Sequence, residues 1–120
     1  MHTRERGMVT AEIAVSLTGL VIVLLGLLWV FGVVSAQIRC VDAARDTARA
    51  LARGESVANA KAEGERSAPD GAQFAVQVGD GNATVRVSVR VQPTVPVLSR
   101  LPGVLVHSKA VVSTEPGVDE

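Results

Sequence analysis

The stretch that decides the fold is Ile13 to Ala36, IAVSLTGLVIVLLGLLWVFGVVSA, 24 residues in which Ser16, Thr18 and Ser35 are the only polar side chains and no charge occurs. At a rise of about 1.5 Å per residue this run makes a helix of about 36 Å, enough to cross a hydrocarbon layer of roughly 30 Å with some tilt. A helix on a soluble domain needs one apolar stripe, not apolarity on every face. The stretch therefore reads as a transmembrane helix. Gly19, Gly26 and Gly32 fit that reading, because glycine is commoner in membrane helices than in soluble ones and lets another backbone approach. Gly32 and Ala36 form one small-xxx-small pair, a spacing that arises easily by chance.

Toward the C-terminus the pattern changes twice. From Gln37 to Gly54 it stays helical, with Ile38, Val41, Ala44, Ala48 and Leu51 drawing a narrow seam. The opposite side carries Asp42, Arg45, Asp46, Arg49 and Arg53. Asp46 and Arg49 form a favourable i,i+3 pair, and Arg45, Arg49 and Arg53 form a like-charge ladder. That ladder reads as a solvated face or as a contact surface for lipid phosphates or an acidic partner. Gly54 interrupts the helix, Ser56 to Arg66 resumes it weakly, and Ser67-Ala68-Pro69-Asp70-Gly71 stops it with turn chemistry.

Beyond that turn the period becomes two. Phe74, Val76 and Val78 alternate with Ala75 and Gln77, and Val85, Val87, Val89 and Val91 alternate with Arg86, Ser88 and Arg90. Gly79-Asp80-Gly81-Asn82 lies between them and accepts positive φ cheaply, which predicts a hairpin. Pro93, Pro96 and Pro102 mark a loop, Val104 to Ser113 a third strand, and Glu115-Pro116-Gly117 the start of a frayed polar tail. The expected fold is α+β: a long N-terminal transmembrane helix (8–36) continuing into an amphipathic helical region (37–66), then a small antiparallel sheet of about three strands (67–120). Its core would be built mainly of valine and alanine, and a domain this small depends on neighbours for part of its stability.

Composition narrows the function. Of 120 residues, 12 are Lys or Arg and 12 are Asp or Glu, so the net charge is zero and no basic field exists to hold nucleic acid. Trp29, Phe31 and Phe74 are the only aromatics, and they offer no base-stacking platform. Cys40 is the single cysteine, which forbids an internal disulfide and a Cys-rich zinc site. It reads as a small helix residue, with an intermolecular disulfide as the alternative. His107 has no second ligand beside it, and Ser108 points to the opposite strand face, so neither a metal site nor a nucleophile arrangement forms. Asp80-Gly81-Asn82 lacks the oxygen ligands of a calcium loop, and Asn82-Ala83-Thr84, a formal glycosylation sequon, reads as turn chemistry. Arg86 and Arg90 read as a solvated strand face. No catalytic constellation, cofactor or small-molecule substrate is expected.

The chemistry concentrates at the front, in Arg4-Glu5-Arg6-Gly7-Met8-Val9-Thr10-Ala11-Glu12. Glu12 sits directly against the apolar run, where an ionised carboxylate is costly and normally has a partner. A cut after Gly7 would create that partner, the α-amine of Met8, one helical turn away in the same chain or within reach on a neighbouring one. A glycine before the first mature residue, a glutamate in fifth place and a long apolar helix resemble the class III signal of type IV prepilins and pseudopilins. With the short leader 1–7 and the tail of helix plus short strands, the chain resembles the TadE-like minor pilins of the Tad/Flp pilus system.

The resemblance implies a prepilin peptidase cutting between Gly7 and Met8, N-methylation of Met8, and Glu12 neutralising a terminal amine during assembly. Its implied partners are the membrane, the peptidase, other pilins and the assembly platform. The implied location is the cytoplasmic membrane, N-terminus inside and C-terminal domain outside, or the pilus itself. Arg4 and Arg6 before the helix face Arg39, Arg45, Arg49 and Arg53 after it, so charge counting alone favours the opposite orientation. The need to meet a cytoplasmic-facing peptidase places the N-terminus inside. Two alternatives remain. One is an uncleaved membrane-anchored module that binds through Arg45, Arg49 and Arg53. The other is a secreted protein cut after Val34-Ser35-Ala36, for which the apolar run is long, since about 7 to 15 residues is usual.

Overall fold

The computed structural model describes residues 2–114, so Met1 and the polar tail expected from Glu115 lie outside the described residues. The chain divides into two compact units, Met1–Phe31 and Gly32–Glu120. One helix, α1 (His2–Ala52), contributes to both.

In the first unit α1 is the whole structure. No proline interrupts it, and its threonines do not break it, because the Thr10 and Thr18 hydroxyls donate to the carbonyls of Arg6 and Ala14 at 2.9 and 2.8 Å. Such back-bonding satisfies a hydroxyl that has no water nearby. Most of the apolar side chains are exposed, with Met8, Leu20 and Phe31 at 73%, 63% and 71%. The helix is long and apolar enough to cross a membrane.

In the second unit the rest of α1 packs with α2 (Val57–Glu65) and a three-stranded antiparallel sheet, β1 (Gln73–Gly79), β2 (Asn82–Val91) and β3 (Val104–Ser113), in the order β1-β2-β3. The sheet turns a valine-rich face inward. Ala83, Val85, Val87 and Val89 of the central strand are buried, and Phe74, Val76, Val104, Val106, Ala110 and Val112 flank them. Register follows from this alternation, with Val76 opposite Val85 and Val85 opposite Ala110. A slip by one residue would put every valine on the outer face.

Against this face α1 lays a stripe of small side chains, Ala36, Cys40, Ala43, Ala44, Thr47, Ala48, Ala50 and Leu51. The stripe shares Ala44, Ala48 and Leu51 with the seam expected from sequence. It departs at the front, where Ile38 is 57% exposed and Ala36 and Cys40 are buried instead. The sheet supplies the bulk, so the helix fills the space best with its smallest residues. The sequence expectation followed the largest aliphatics and so placed the front of the seam on the wrong side of the helix.

The junctions are built from local chemistry. Gly54, with φ +83°, ends α1 in a Schellman motif: its N–H donates to Leu51 O at 3.0 Å, and that of Glu55 donates to Ala50 O at 3.2 Å. Ser56 caps α2 by accepting from the Asn59 N–H. At the β1–β2 hairpin Asp80 and Gly81 have φ of 53° and 76° between the paired Gly79 and Asn82. Two successive positive φ values are the type I′ geometry that matches strand twist. The proline-bearing connection from β2 to β3 contains one short 3-10 turn, Pro96–Leu98.

The turn after α2 is held to α1 by polar bonds. Arg39 donates to Ser67 O at 3.3 Å and to Ala68 O at 2.7 Å, while the Ser67 hydroxyl donates to Asp46 Oδ2 at 2.5 Å. Asp46 is thus engaged by Ser67 rather than by the Arg49 one turn away, and no Asp46–Arg49 ion pair occurs among the described residues. On the sheet side, Gln37 Nε2 donates to His107 O at 3.3 Å.

Candidate functional site

Two sets of residues stand out from sequence, and they belong to different units. The first is Gly7, Met8 and Glu12. All three lie on α1, which continues without a break through the leader residues His2 to Gly7. A helix places residues four apart on one side, so Glu12 lies one turn beyond Met8. Nothing stands within 4 Å of the position a Cβ would take at Gly7. The backbone there is open to a second protein. Glu12 is exposed, and no cation pairs with it among the described residues. Arg6 is bound at its carbonyl by Thr10, and its guanidinium also forms no ion pair among those residues.

A carboxylate bordering an apolar helix that spans a membrane would have two ways to lower its cost. It can stay at the level of the headgroups, or it can meet a positive charge. Both leader arginines lie on the N-terminal side of Glu12, and removing 1–7 would remove them together with His2. The Met8 amine would then be the nearest positive charge. Its formation needs hydrolysis of one peptide bond, with water supplying the proton and hydroxyl, and no other change in the helix.

The second set is Arg45, Arg49 and Arg53. All three are exposed at i,i+4 spacing, as the sequence implies, Arg45 and Arg49 on α1 and Arg53 just past its end. They are not equivalent. Arg53 Nη2 contacts Glu55 Oε1 and Glu63 Oε2, both at 2.8 Å, and its Nε donates to Glu55 at 3.1 Å. Its guanidinium is held in the charged form above its ordinary range, first by the hydrogen bond to Glu55, with both carboxylates adding to it. The ladder is therefore two cations without an ion-pair partner among the described residues, Arg45 and Arg49, followed by an arginine paired with Glu55 and Glu63. The pairing escapes a helical reading because Glu55 and Glu63 lie beyond the Gly54 turn, on a segment that folds back.

Cys40 is fully buried on the packed stripe of α1. Burial pushes its thiol up, and the charge of the adjacent Arg39 works in the other direction. A thiol in that state is a poor nucleophile. Its surroundings match the small-residue reading. Arg39 itself has a structural task, the clamp on Ser67 and Ala68, that no local spacing signals.

No protein-family model, curated protein or solved structure matches the chain. Its function has to be argued from its own residues.

Proposed function

We propose that this chain is a structural minor pilin or pseudopilin of the Tad/Flp type, matured by a prepilin peptidase that cuts between Gly7 and Met8. The observation that carries this reading is an exposed, uncovered apolar helix that opens with a lone carboxylate, Glu12, one turn beyond the residue that would become the N-terminus. In this proposal the helix waits in the cytoplasmic membrane with its N-terminus inside. Cleavage removes Arg4 and Arg6 and exposes the Met8 amine. Glu12 pairs with that amine or with the one on an adjacent subunit, and lateral packing of the apolar helix replaces lipid contacts with protein contacts. The part of the chain beyond Ala36 then stands outside the membrane, and no catalytic group of the chain takes part.

Two features favour this over the alternatives. A secreted protein cut after Ala36 would begin inside an unbroken helix and would lose Ala36, whose side chain is part of the core. An uncleaved module binding through Arg45, Arg49 and Arg53 would have one of its three cations already satisfied by Glu55 and Glu63.

Mass spectrometry of the protein from its native cells tests the proposal. A mature chain starting at Met8 or N-methyl-Met8 is expected. A start at Met1 or His2, or at Gln37, would overturn it. Glu12→Gln should insert into the membrane normally and enter filaments poorly, whereas replacing Gly7 with leucine should leave full-length precursor.

A further inference from the structure

The outer face of the sheet carries a charge arrangement that its strands, taken singly, do not reveal. Arg86 of β2 stands directly opposite Lys109 of β3, and Ser88 directly opposite His107. Arg90 continues the same face of β2 two residues further on. Side chains directly opposite in antiparallel strands have Cβ atoms about 4.5–5.5 Å apart, and like charges there are unfavourable. A sheet that had only to fold gains nothing from that pair. None of the outward-facing positions on the three strands is acidic. Asp70, at the rim of the neighbouring hollow that includes Arg90, makes no ion pair among the described residues. The carboxylates that are paired among the described residues, Glu55, Glu63 and Glu65, serve Arg53 after α1 and Lys61 on α2. A chain of zero net charge has thus separated its charges and left one face cationic.

The face is also shaped. Arg86 and Lys109 border a depression of about 510 Å³, which Gln73, Ser88 and His107 line with hydrogen-bonding groups. Leu105 and Val111, 59% and 58% exposed, lie on the same outward-facing side of β3.

We propose that this face docks an acidic, extended segment of a protein partner, with one carboxylate seated between Arg86 and Lys109 and a second reaching Arg90. Carboxylates on alternate residues of an extended chain recur about every 6.5–7 Å, and Arg86 and Arg90 are about twice that apart along their strand. Ser88, Gln73 and His107 can bond the backbone or neutral side chains between the carboxylates. Leu105 and Val111 supply apolar contact for the side chains in between. An anionic membrane is matched less well, because surfaces that hold lipid headgroups gather about four to eight Lys or Arg and this face has three. A nucleic acid is matched less well still, since no Phe, Tyr or Trp side chain is on the face to stack a base.

The test uses the full chain in nanodiscs of phosphatidylcholine and a fluorescent peptide of alternating glutamate and threonine, read by anisotropy. Binding is expected, weakening as salt rises, and falling about tenfold or more in the double variant Arg86→Gln, Lys109→Gln. Arg86→Lys should retain most of it, and a lysine-threonine peptide should not bind. Both substituted positions are exposed, and the double variant relieves a repulsion, so its melting midpoint should hold or rise. Equal binding by the wild type and the double variant, or no binding by the wild type, would overturn the proposal. So would association with phosphatidylglycerol vesicles that depends on Arg86 and Lys109 while the peptide fails to bind, since the face would then belong to a membrane surface.

Discussion

The two units of this chain bury their apolar surface in opposite ways. In Gly32–Glu120 every strand has a partner in the chain, and the helix meets the sheet through residues no larger than leucine. In Met1–Phe31 the side chains are larger and more apolar, and most of them are exposed. Hydrophobicity is therefore not what separates core from surface in this molecule. What separates them is whether the covering material is supplied by the chain or must come from lipid or other helices. An exposed apolar surface of this extent in water would aggregate, so the first unit describes its environment while the second describes itself.

The comparison breaks most visibly if a charge is placed in each unit. Val87 is fully buried at the centre of β2, opposite Phe74 and Ser108. Val87→Asp puts a carboxylate among valines with no cation to meet it, which costs several kcal/mol, a large share of the stability of so small a domain (about 5 kcal/mol or more in total for marginal proteins). Loss of β-sheet signal in circular dichroism and rapid proteolysis beyond residue 52 are expected, with the membrane fraction still containing the N-terminal segment. A folded, protease-resistant Val87→Asp domain would show that the sheet face is not the core.

Much of this architecture was legible in the sequence, and the reasons differ by element. The apolar run from Ile13 to Ala36 and the alternation in β2 are periodic signals that need only the chain itself. The hairpin at Asp80-Gly81 was legible because two positive φ values in succession admit few residue types. The third strand was found at its full extent, Val104–Ser113. What failed was anything that depends on which part of the chain folds back. The exposed Ile38, the Arg39 clamp, the pairing of Arg53 with Glu63 and the Arg86–Lys109 opposition all join residues at least ten apart or depend on what a helix packs against. At the candidate site, Gly7, Met8 and Glu12 were visible because their spacing is local. The unequal state of Arg45, Arg49 and Arg53 was not, because Gly54 reverses the chain just after them.

A smaller effect probes how tightly the second unit is built. Gly64 of α2 faces α1 so closely that a Cβ there would lie 2.0 Å from Thr47 Oγ1 and 2.8 Å from Ala43 O. Thr47 is fully buried and its hydroxyl donates to Ala43 O, so it has no free rotamer into which to retreat. Gly64→Ala gains helix propensity but has to push α2 away, and overpacking of this kind costs about 1–3 kcal/mol. A lower denaturation midpoint is expected, partly restored by Thr47→Ala, which removes Oγ1 and opens the space. An unchanged midpoint in Gly64→Ala would mean that α2 is not held against α1.

The smallest effect is the sharpest on the comparison itself. Leu24 has the same chemistry as Leu51, and the two lie on the same helix, but Leu24 is 53% exposed and Leu51 7%. Leu51→Ala removes atoms from a closed core and should cost about 2–5 kcal/mol, less where the neighbours can collapse. Leu24→Ala removes atoms from a surface that meets no protein, so the thermal midpoint of the second unit, measured in the same detergent or bilayer, should not move. Insertion tolerates the change as well, because one leucine contributes only about 0.3 to 0.6 kcal/mol to a membrane helix. If Leu24→Ala lowered that midpoint as Leu51→Ala does, Leu24 would be covered by this chain's own domain, and the separation between a helix that needs outside cover and a unit that supplies its own would fail.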